Sequence, residues 1–303
     1  MLKTPDLLIF LHMGKTGGVT FGSILSRNFA QDQQFDGNQG ETRSALGLRN
    51  ASDIAAAYGQ LDIDRRRRVR LIYGHVPMGI HTLVERPARY VTLLRHPVDR
   101  VISSFYYIRQ RHEIPIQPLI REMSLDAYLD SHLGLDPYDY QVRVLSSVPE
   151  LNAEWTDGRP IHAARVSRAH LTRAKRNVKD HFLFAGTLER LDEALVLLRW
   201  TFGWAFEDLL LAPQNVTPSR PSLRDVSVTT MSKLRALNTF DLELYSWVDA
   251  RFRRLCRSLG PKFQLEVLVF KSVSRRFKRY GMTSGLKRIL AEAEKALPAP
   301  ARG

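Results

Sequence analysis

Leu7-Leu8-Ile9-Phe10-Leu11-His12-Met13-Gly14-Lys15-Thr16-Gly17-Gly18-Val19-Thr20-Phe21 passes from an unbroken apolar run, through a short loop of glycine, lysine and threonine, into a helical pattern. Phe21, Ile24 and Leu25 are spaced for one helix face. The order therefore reads buried strand, tight turn, helix. Such a turn gathers backbone N–H groups, the positive end of a helix dipole and one ammonium around a point. That suits an anion, and phosphate is the usual one. A Walker A loop reads G-x-x-x-x-G-K-[ST], with lysine late. Here Lys15-Thr16 precedes Gly17-Gly18, and no glycine stands at the Walker pattern's first position. On this stretch alone, a phosphate loop of another type and a Gly-rich turn with no ligand are both open.

A second stretch repeats the arrangement. Ala88 to Leu94 (ARYVTLL) reads as another buried strand and runs into Arg95-His96-Pro97-Val98-Asp99-Arg100-Val101-Ile102-Ser103. Pro97 suits the first turn of a helix. Val98, Val101, Ile102 and Phe105 mark its apolar face, with Arg95 at the strand end and Ser103 about two turns in.

These two stretches together resemble the sulfotransferases. His12 to Gly18 is similar to their 5′-phosphosulfate loop. Arg95 to Ser103 is similar to their 3′-phosphate motif, an arginine and a serine eight positions apart. The likeness is greatest to the carbohydrate sulfotransferases (sulfotransferase family 2) that include the uronosyl 2-O-sulfotransferase of heparan sulfate. Those enzymes carry a phrase like Tyr73-Gly74-His75-Val76 before the second motif. Weaker similarity runs through Asp139-Tyr140-Gln141-Val142-Arg143 and Phe184 to Arg190, and fades at Asp241 to Tyr245.

The resemblance implies an α/β, P-loop-like sulfotransferase fold with a central parallel sheet flanked by helices. It implies 3′-phosphoadenosine 5′-phosphosulfate (PAPS) as sulfuryl donor and PAP as product. Carried over residue by residue, Gly14, Lys15, Thr16, Gly17, Gly18, Val19 and Thr20 would contact the 5′-phosphate, and Arg95 and Ser103 the 3′-phosphate. His75 would be the base and Lys15 would meet the leaving oxygen. Arg220, in the Pro/Ser-rich loop Asn215 to Ser222, is the candidate for a late loop covering the nucleotide, beside a plain linker arginine. The heparan enzyme has a histidine where Tyr73 stands, which sets a two-histidine mechanism and the acceptor's identity apart here. The donor carries no triphosphate, and the sequence shows no His/Cys ligand cluster, so no metal is expected. A carbohydrate acceptor, acidic or lipid-linked, is the implied partner.

The 303 residues are 44% hydrophobic, enough for one sizeable α/β domain. One cysteine, Cys256, excludes an internal disulfide. No apolar run is long enough to span a bilayer. Animal relatives of the resembled family are usually anchored in the Golgi. The first core strand here begins within ten residues of Met1, and the expectation is a soluble, cytoplasmic, bacterial enzyme.

Net charge is +14, and from Arg251 onward 14 Lys+Arg face 3 Asp+Glu, a balance of +11 that leaves +3 for the rest. The reading divides the chain into a sulfotransferase domain, 1–260, and a basic helical C-terminal extension, 261–303. The extension suits a membrane-surface element, a handle for an acidic polymer, or a solvated packing segment; nucleic acid is not the expected partner. Arg65 to Arg68 reads as a solvated edge or a clamp for an acidic sugar polymer. Asp139, Gln141 and Arg143 face the acceptor in the resembled family, or form a solvated helix face. Ile161 to Val178 reads as an amphipathic helix. Two rivals remain at this point: a P-loop kinase or NTPase, and a binding protein acting on membrane or nucleic acid through the basic tail.

Overall fold

Leu7–Leu11 (β1) is buried on both faces, no residue more than 2% exposed, and it takes the centre of a five-stranded sheet. The computed structural model describes residues 2–38, 51–84, 86–112, 114, 116–131, 133, 137–148, 155–156, 159–160, 165–211 and 225–298. After β1 come Gly18–Arg27 (α1), Gln34–Asp36 (β2), Ala51–Gly59 (α2), Ile63–Arg68 (α3), Leu71–Gly74 (β3) and Ala88–Leu94 (β4). Pro97–Arg109 (α4), Gln117–Ile120 (α5), Leu125–Asp130 (α6) and Tyr140–Ser146 (α7) follow. Trp155–Thr156 (β5) and Arg159–Pro160 (β6) pair with each other. Arg168–His181 (α8) leads straight into Phe182–Thr187 (β7), then Leu191–Phe202 (α9), Val228–Leu237 (α10), Thr239–Ser258 (α11), Gly260–Tyr280 (α12) and Ser284–Ala296 (α13).

The sheet order is β2-β3-β1-β4-β7, and every pairing is parallel. Parallel neighbours require crossovers, so helices cover both faces. Side chains of β1 alternate accordingly. Leu7, Ile9 and Leu11 enter a core with α7 and α8, while Leu8 and Phe10 enter one with α1, α9, α12 and α13. The chain leaves β1 toward β3 and β2, then crosses to β4 and β7 on the other side. Carboxyl ends of β1, β3 and β4 thus meet at the point where the winding reverses, the usual ligand position in open α/β sheets.

Arg65 to Arg68 closes α3, and β3 begins at Leu71. Two readings of the sequence shift. The helix read over 161–178 is described as Arg168–His181, because Ser167 and His170 form a capping box there and the chain turns directly into β7 at Phe182; residues 161–164 lie outside the described set. Gln141 and Arg143 are no solvated face: α7 is buried on all sides, with Gln141 at 0% and Arg143 at 4% exposure.

The basic C-terminal helices share the core of the sheet. Phe263, Val267, Phe270 and Val273 of α12 and Leu286 and Leu290 of α13 belong to the cluster that contains Leu8 and Phe10. Arg199 of α9 clasps them. Its guanidinium is fully buried, bonds Glu266 at 3.2 Å and the Leu297 carbonyl at 2.8 Å, pairs with Glu294, and lies 4.1 Å from the Phe206 ring centroid. Removing one partner of a buried pair leaves the other charge uncompensated, at a cost of about 3–5 kcal/mol. Arg199→Ala is therefore expected to lose about that much unfolding free energy in a denaturant titration, while an unchanged midpoint would show that the clasp contributes nothing.

Candidate functional site

The loop after β1 is shaped by backbone conformation. Lys15 and Gly17 both take the left-handed region, at φ 65° and 81°. A Cβ on Gly17 would stand 2.4 Å from Leu188 Cδ1, and one on Gly18 would stand 1.9 Å from His12 Cδ2. No larger residue fits either position without moving its neighbour. α1 starts at Gly18 with no side-chain cap and no acidic residue in its first turn. Its leading N–H groups and dipole are thus directed at the loop's hollow. Thr16 is turned inward: its hydroxyl donates to the Met13 carbonyl at 3.0 Å. Gly14 N–H donates to the Tyr140 hydroxyl at 3.2 Å, which pins the loop to α7.

Arg95 arrives from the neighbouring strand. Its Nη1 donates to the Lys15 carbonyl at 3.1 Å, so the two cationic residues of the two motifs stand side by side. The Gln141 amide holds the Arg95 main chain from both sides: it accepts from Arg95 N–H at 3.0 Å and donates to Arg95 O at 3.1 Å. Asp241, fully buried, in turn accepts from Gln141 N–H at 3.0 Å and Val142 N–H at 2.8 Å. Burial pushes the Asp241 carboxyl up against the field of Arg100. Asp139, which accepts from Asp241 N–H at 2.8 Å, is pushed up to about 7 by burial and then by the Asp241 charge. Lys15 Nζ lies 3.8 Å from the Tyr107 ring centroid on α4, a cation–π contact. Ser103 lies on the same helix, 7% exposed. Arg220 falls outside the described residues.

His75 follows β3. Its Nδ1 is 3.0 Å from the His12 carbonyl. A carbonyl only accepts, so Nδ1 carries the hydrogen and the neutral ring keeps its lone pair on Nε2. Its backbone N–H donates to Asn38 Oδ1 at 3.0 Å, and Asn38 is held by Asp36. The His75 ring stacks on that of His12 at 4.2 Å between centroids, and His12 stacks on Phe10 at 5.6 Å. Burial first, then the charges of His75 and Lys15, lower the His12 pKa to about 3. His12 is therefore neutral near pH 7. Tyr73 lies on the same strand end, its hydroxyl pushed up by burial and by Asp36.

The structure thus gathers the 14–20 loop, Arg95 and His75 on one rim. Residues the sequence did not single out for this site are Tyr107, Asn38, Asp36 and, as a ring, His12. The signal for Asn38 and Asp36 was weak, because they lie at the end of a three-residue strand inside a polar stretch.

A model of the galactose-3-O-sulfotransferase family matches residues 3–295. Heparan-sulfate 6-O-sulfotransferase 2 of Gallus gallus is 25% identical over 92% of this chain and 74% of its own length. Galactose-3-O-sulfotransferase 2 of Homo sapiens is 26% identical over 84% and 62%. Uronyl 2-sulfotransferase of Mus musculus is 27% identical over 57% and 45%. The chain spans about half the length of the human and mouse heparan-sulfate 6-O-sulfotransferase 2. A structure of mouse sulfotransferase SULT7A1 complexed with PAP covers 97% of this chain at 13% identity and a TM-score of 0.37, too loose a superposition to align one site on the other.

The His12 environment sets a pH dependence. A histidine whose folded pKa is about 3, against 6.5 unfolded, costs stability as pH falls below 6.5, because only the unfolded chain takes up the proton. Denaturant titrations from pH 7 to 5 should show the parent losing up to about 1.4 kcal/mol per pH unit more than His12→Phe, which keeps a stacking ring. Parallel curves would contradict the buried neutral imidazole.

Proposed function

The chain belongs to the galactose-3-O-sulfotransferase family, and on that premise we propose that it moves a sulfuryl group from PAPS to a hydroxyl of a carbohydrate acceptor. The observation that carries this reading is the meeting of Lys15 and Arg95 at the ends of adjacent parallel strands. One nucleotide with a phosphate at each end of its ribose needs two cationic corners a short distance apart.

The donor set fits that ligand. The uncapped start of α1 offers N–H groups from Gly17, Gly18, Val19 and Thr20, and Gly14 and Thr16 shape the turn beneath them. Lys15 supplies the charge that answers an oxygen turning anionic. Arg95 and Ser103 take the 3′-phosphate, where a planar guanidinium matches phosphate better than an ammonium does. When bound, PAPS supplies the sulfuryl group on a 5′-phosphate leaving group; the transfer resembles phosphoryl transfer, in which positioning and electrostatics dominate.

His75 takes the proton of the acceptor hydroxyl at Nε2. The hydrogen bond from Nδ1 to the His12 carbonyl fixes the tautomer that makes Nε2 basic. The same carbonyl steadies the imidazolium once the proton has moved. His12, held neutral, adds no competing positive charge beneath the ring. Tyr73 stays protonated and can only donate or accept a hydrogen bond there.

Labelled PAPS offered to a glycan panel tests the assignment. Lys15→Ala should abolish transfer. His75→Ala should lower kcat by about 10²–10⁴ while PAP still binds. PAP without magnesium should raise the melting temperature of the parent, and Arg95→Ala should weaken that shift. Stabilisation by Mg-ATP in place of PAP would put the kinase reading ahead, and full transfer by His75→Ala would remove His75 as the base.

A further inference from the structure

The proposed reaction leaves one concentration of charge unused. Arg275, Arg276 and Arg279 on α12 and Arg288 on α13 line a groove of about 660 Å³, with Tyr280, 62% exposed, at its side. Elsewhere, Arg199 is paired with Glu266 and Glu294, and Arg190 and Arg253 with Asp249. Among the described residues, Arg288 lies 4.0 Å from Glu292, no ion pair joins Arg275, Arg276 or Arg279 to an acid, and Asp192 lies in the field of Arg275. Three like charges within about one helical turn repel one another and raise the local potential by several kT. An anionic ligand relieves that repulsion, and guanidinium groups favour carboxylate and sulfate.

We propose that this groove is a second carbohydrate site, which holds a segment of an acidic polysaccharide outside the transfer centre. The class of ligand follows from the shape and the spacing. A membrane-surface helix needs an apolar face along its basic one. The apolar face of α12 is spent on the core through Phe263, Val267 and Phe270. Its exposed leucines, Leu265 and Leu268, stand two to three turns before the arginines. A single-stranded nucleic acid would want successive stacking rings, and Tyr280 is the aromatic residue in the lining. A concave, arginine-lined trough between two helices fits one polyanionic chain.

The helix that carries the trough also packs against the start of α9. Leu188 packs on Gly17 of the phosphate loop, within reach of a Cβ there. The turn from Leu188 to Arg190 opens α9, whose Glu193 accepts from Lys271 of α12 at 3.1 Å. Asp192 lies in the field of Lys278, Lys271 and Arg275. The basic half of α12 therefore lies against the start of α9, whose entry turn packs on the loop. The link between binding there and turnover rests on the sulfotransferase reading; the binding itself does not.

The test uses the full chain, immobilised heparin, and the variants R275E/R276E/R279E and R275Q/R276Q/R279Q. Parallel arms hold polygalacturonate, which carries carboxylate alone, neutral dextran, anionic phosphatidylglycerol vesicles and single-stranded DNA. The parent is expected to bind heparin and not dextran, with an affinity that falls as salt rises. The Glu variant should bind at least about tenfold more weakly and the Gln variant less so, since rim charges set attraction more than shape does. Polygalacturonate binding that depends on the same arginines also supports the site and marks carboxylate as sufficient. Melting temperatures and the PAP shift serve as controls on folding and on the donor site. Loss of heparin binding in a variant that keeps both is the supporting result, and heparin binding through the groove with no PAP shift in the parent supports the site while sinking the transfer reading. Undiminished heparin binding by the Glu variant overturns the proposal, as does groove-dependent binding confined to vesicles or DNA.

Discussion

The contact between the Arg95 guanidinium and the Lys15 carbonyl, 3.1 Å long, ties together the exits of two neighbouring strands. Everything proposed about the donor depends on it. The strands leave little freedom for the contact to be otherwise: β1 and β4 pair in parallel register, and the Thr92 hydroxyl donates to the Leu11 carbonyl at 2.7 Å just below the loop. The two motifs are thus brought together by sheet register. The loop's left-handed backbone at Lys15 then turns the carbonyl toward the arginine while the ammonium goes to Tyr107.

A buried polar scaffold holds this arrangement from behind. Asp241 fixes α7 through two main-chain N–H groups. α7 fixes Arg95 through Gln141 and the loop through Tyr140. Burying a carboxylate is expensive unless it is fully bonded. Here the expense falls on Asp139 and Asp241, both pushed toward protonation, with Arg143 and Arg100 as their counter-charges. The base side uses a different device. His12 packs where Gly18 lacks a side chain, and so presents its ring to one face of His75 and its carbonyl to the Nδ1 atom.

Much of the frame could be read from the sequence because its strands are covered on both faces. β1, β4 and β7 show as apolar runs, and the residues that follow them, His12, Arg95 and the Leu188 turn, land at strand ends as the pattern requires. The scaffold could not be read that way. Gln141 and Arg143 look like surface residues in one dimension, and the partners that hold Gln141 buried stand 46 and 100 positions away along the chain. The basic C-terminal segment left several readings open for the opposite reason. Its charge is conspicuous, and the apolar stripe Phe263, Val267, Phe270 and Val273 that packs α12 against α9 is diluted among arginines and lysines. Hydrophobic period, not charge, tells where that helix sits. The His12–His75 stack was beyond reach, since it requires two strands to be placed side by side.

A crystal structure of the protein with PAP tests the central claim most directly. The account predicts one nucleotide bridging the rim, with its 5′-phosphate on the 14–20 loop beside Lys15 and its 3′-phosphate on Arg95. A nucleotide whose 3′-phosphate lies away from Arg95, or whose 5′-phosphate leaves the loop empty, would contradict it.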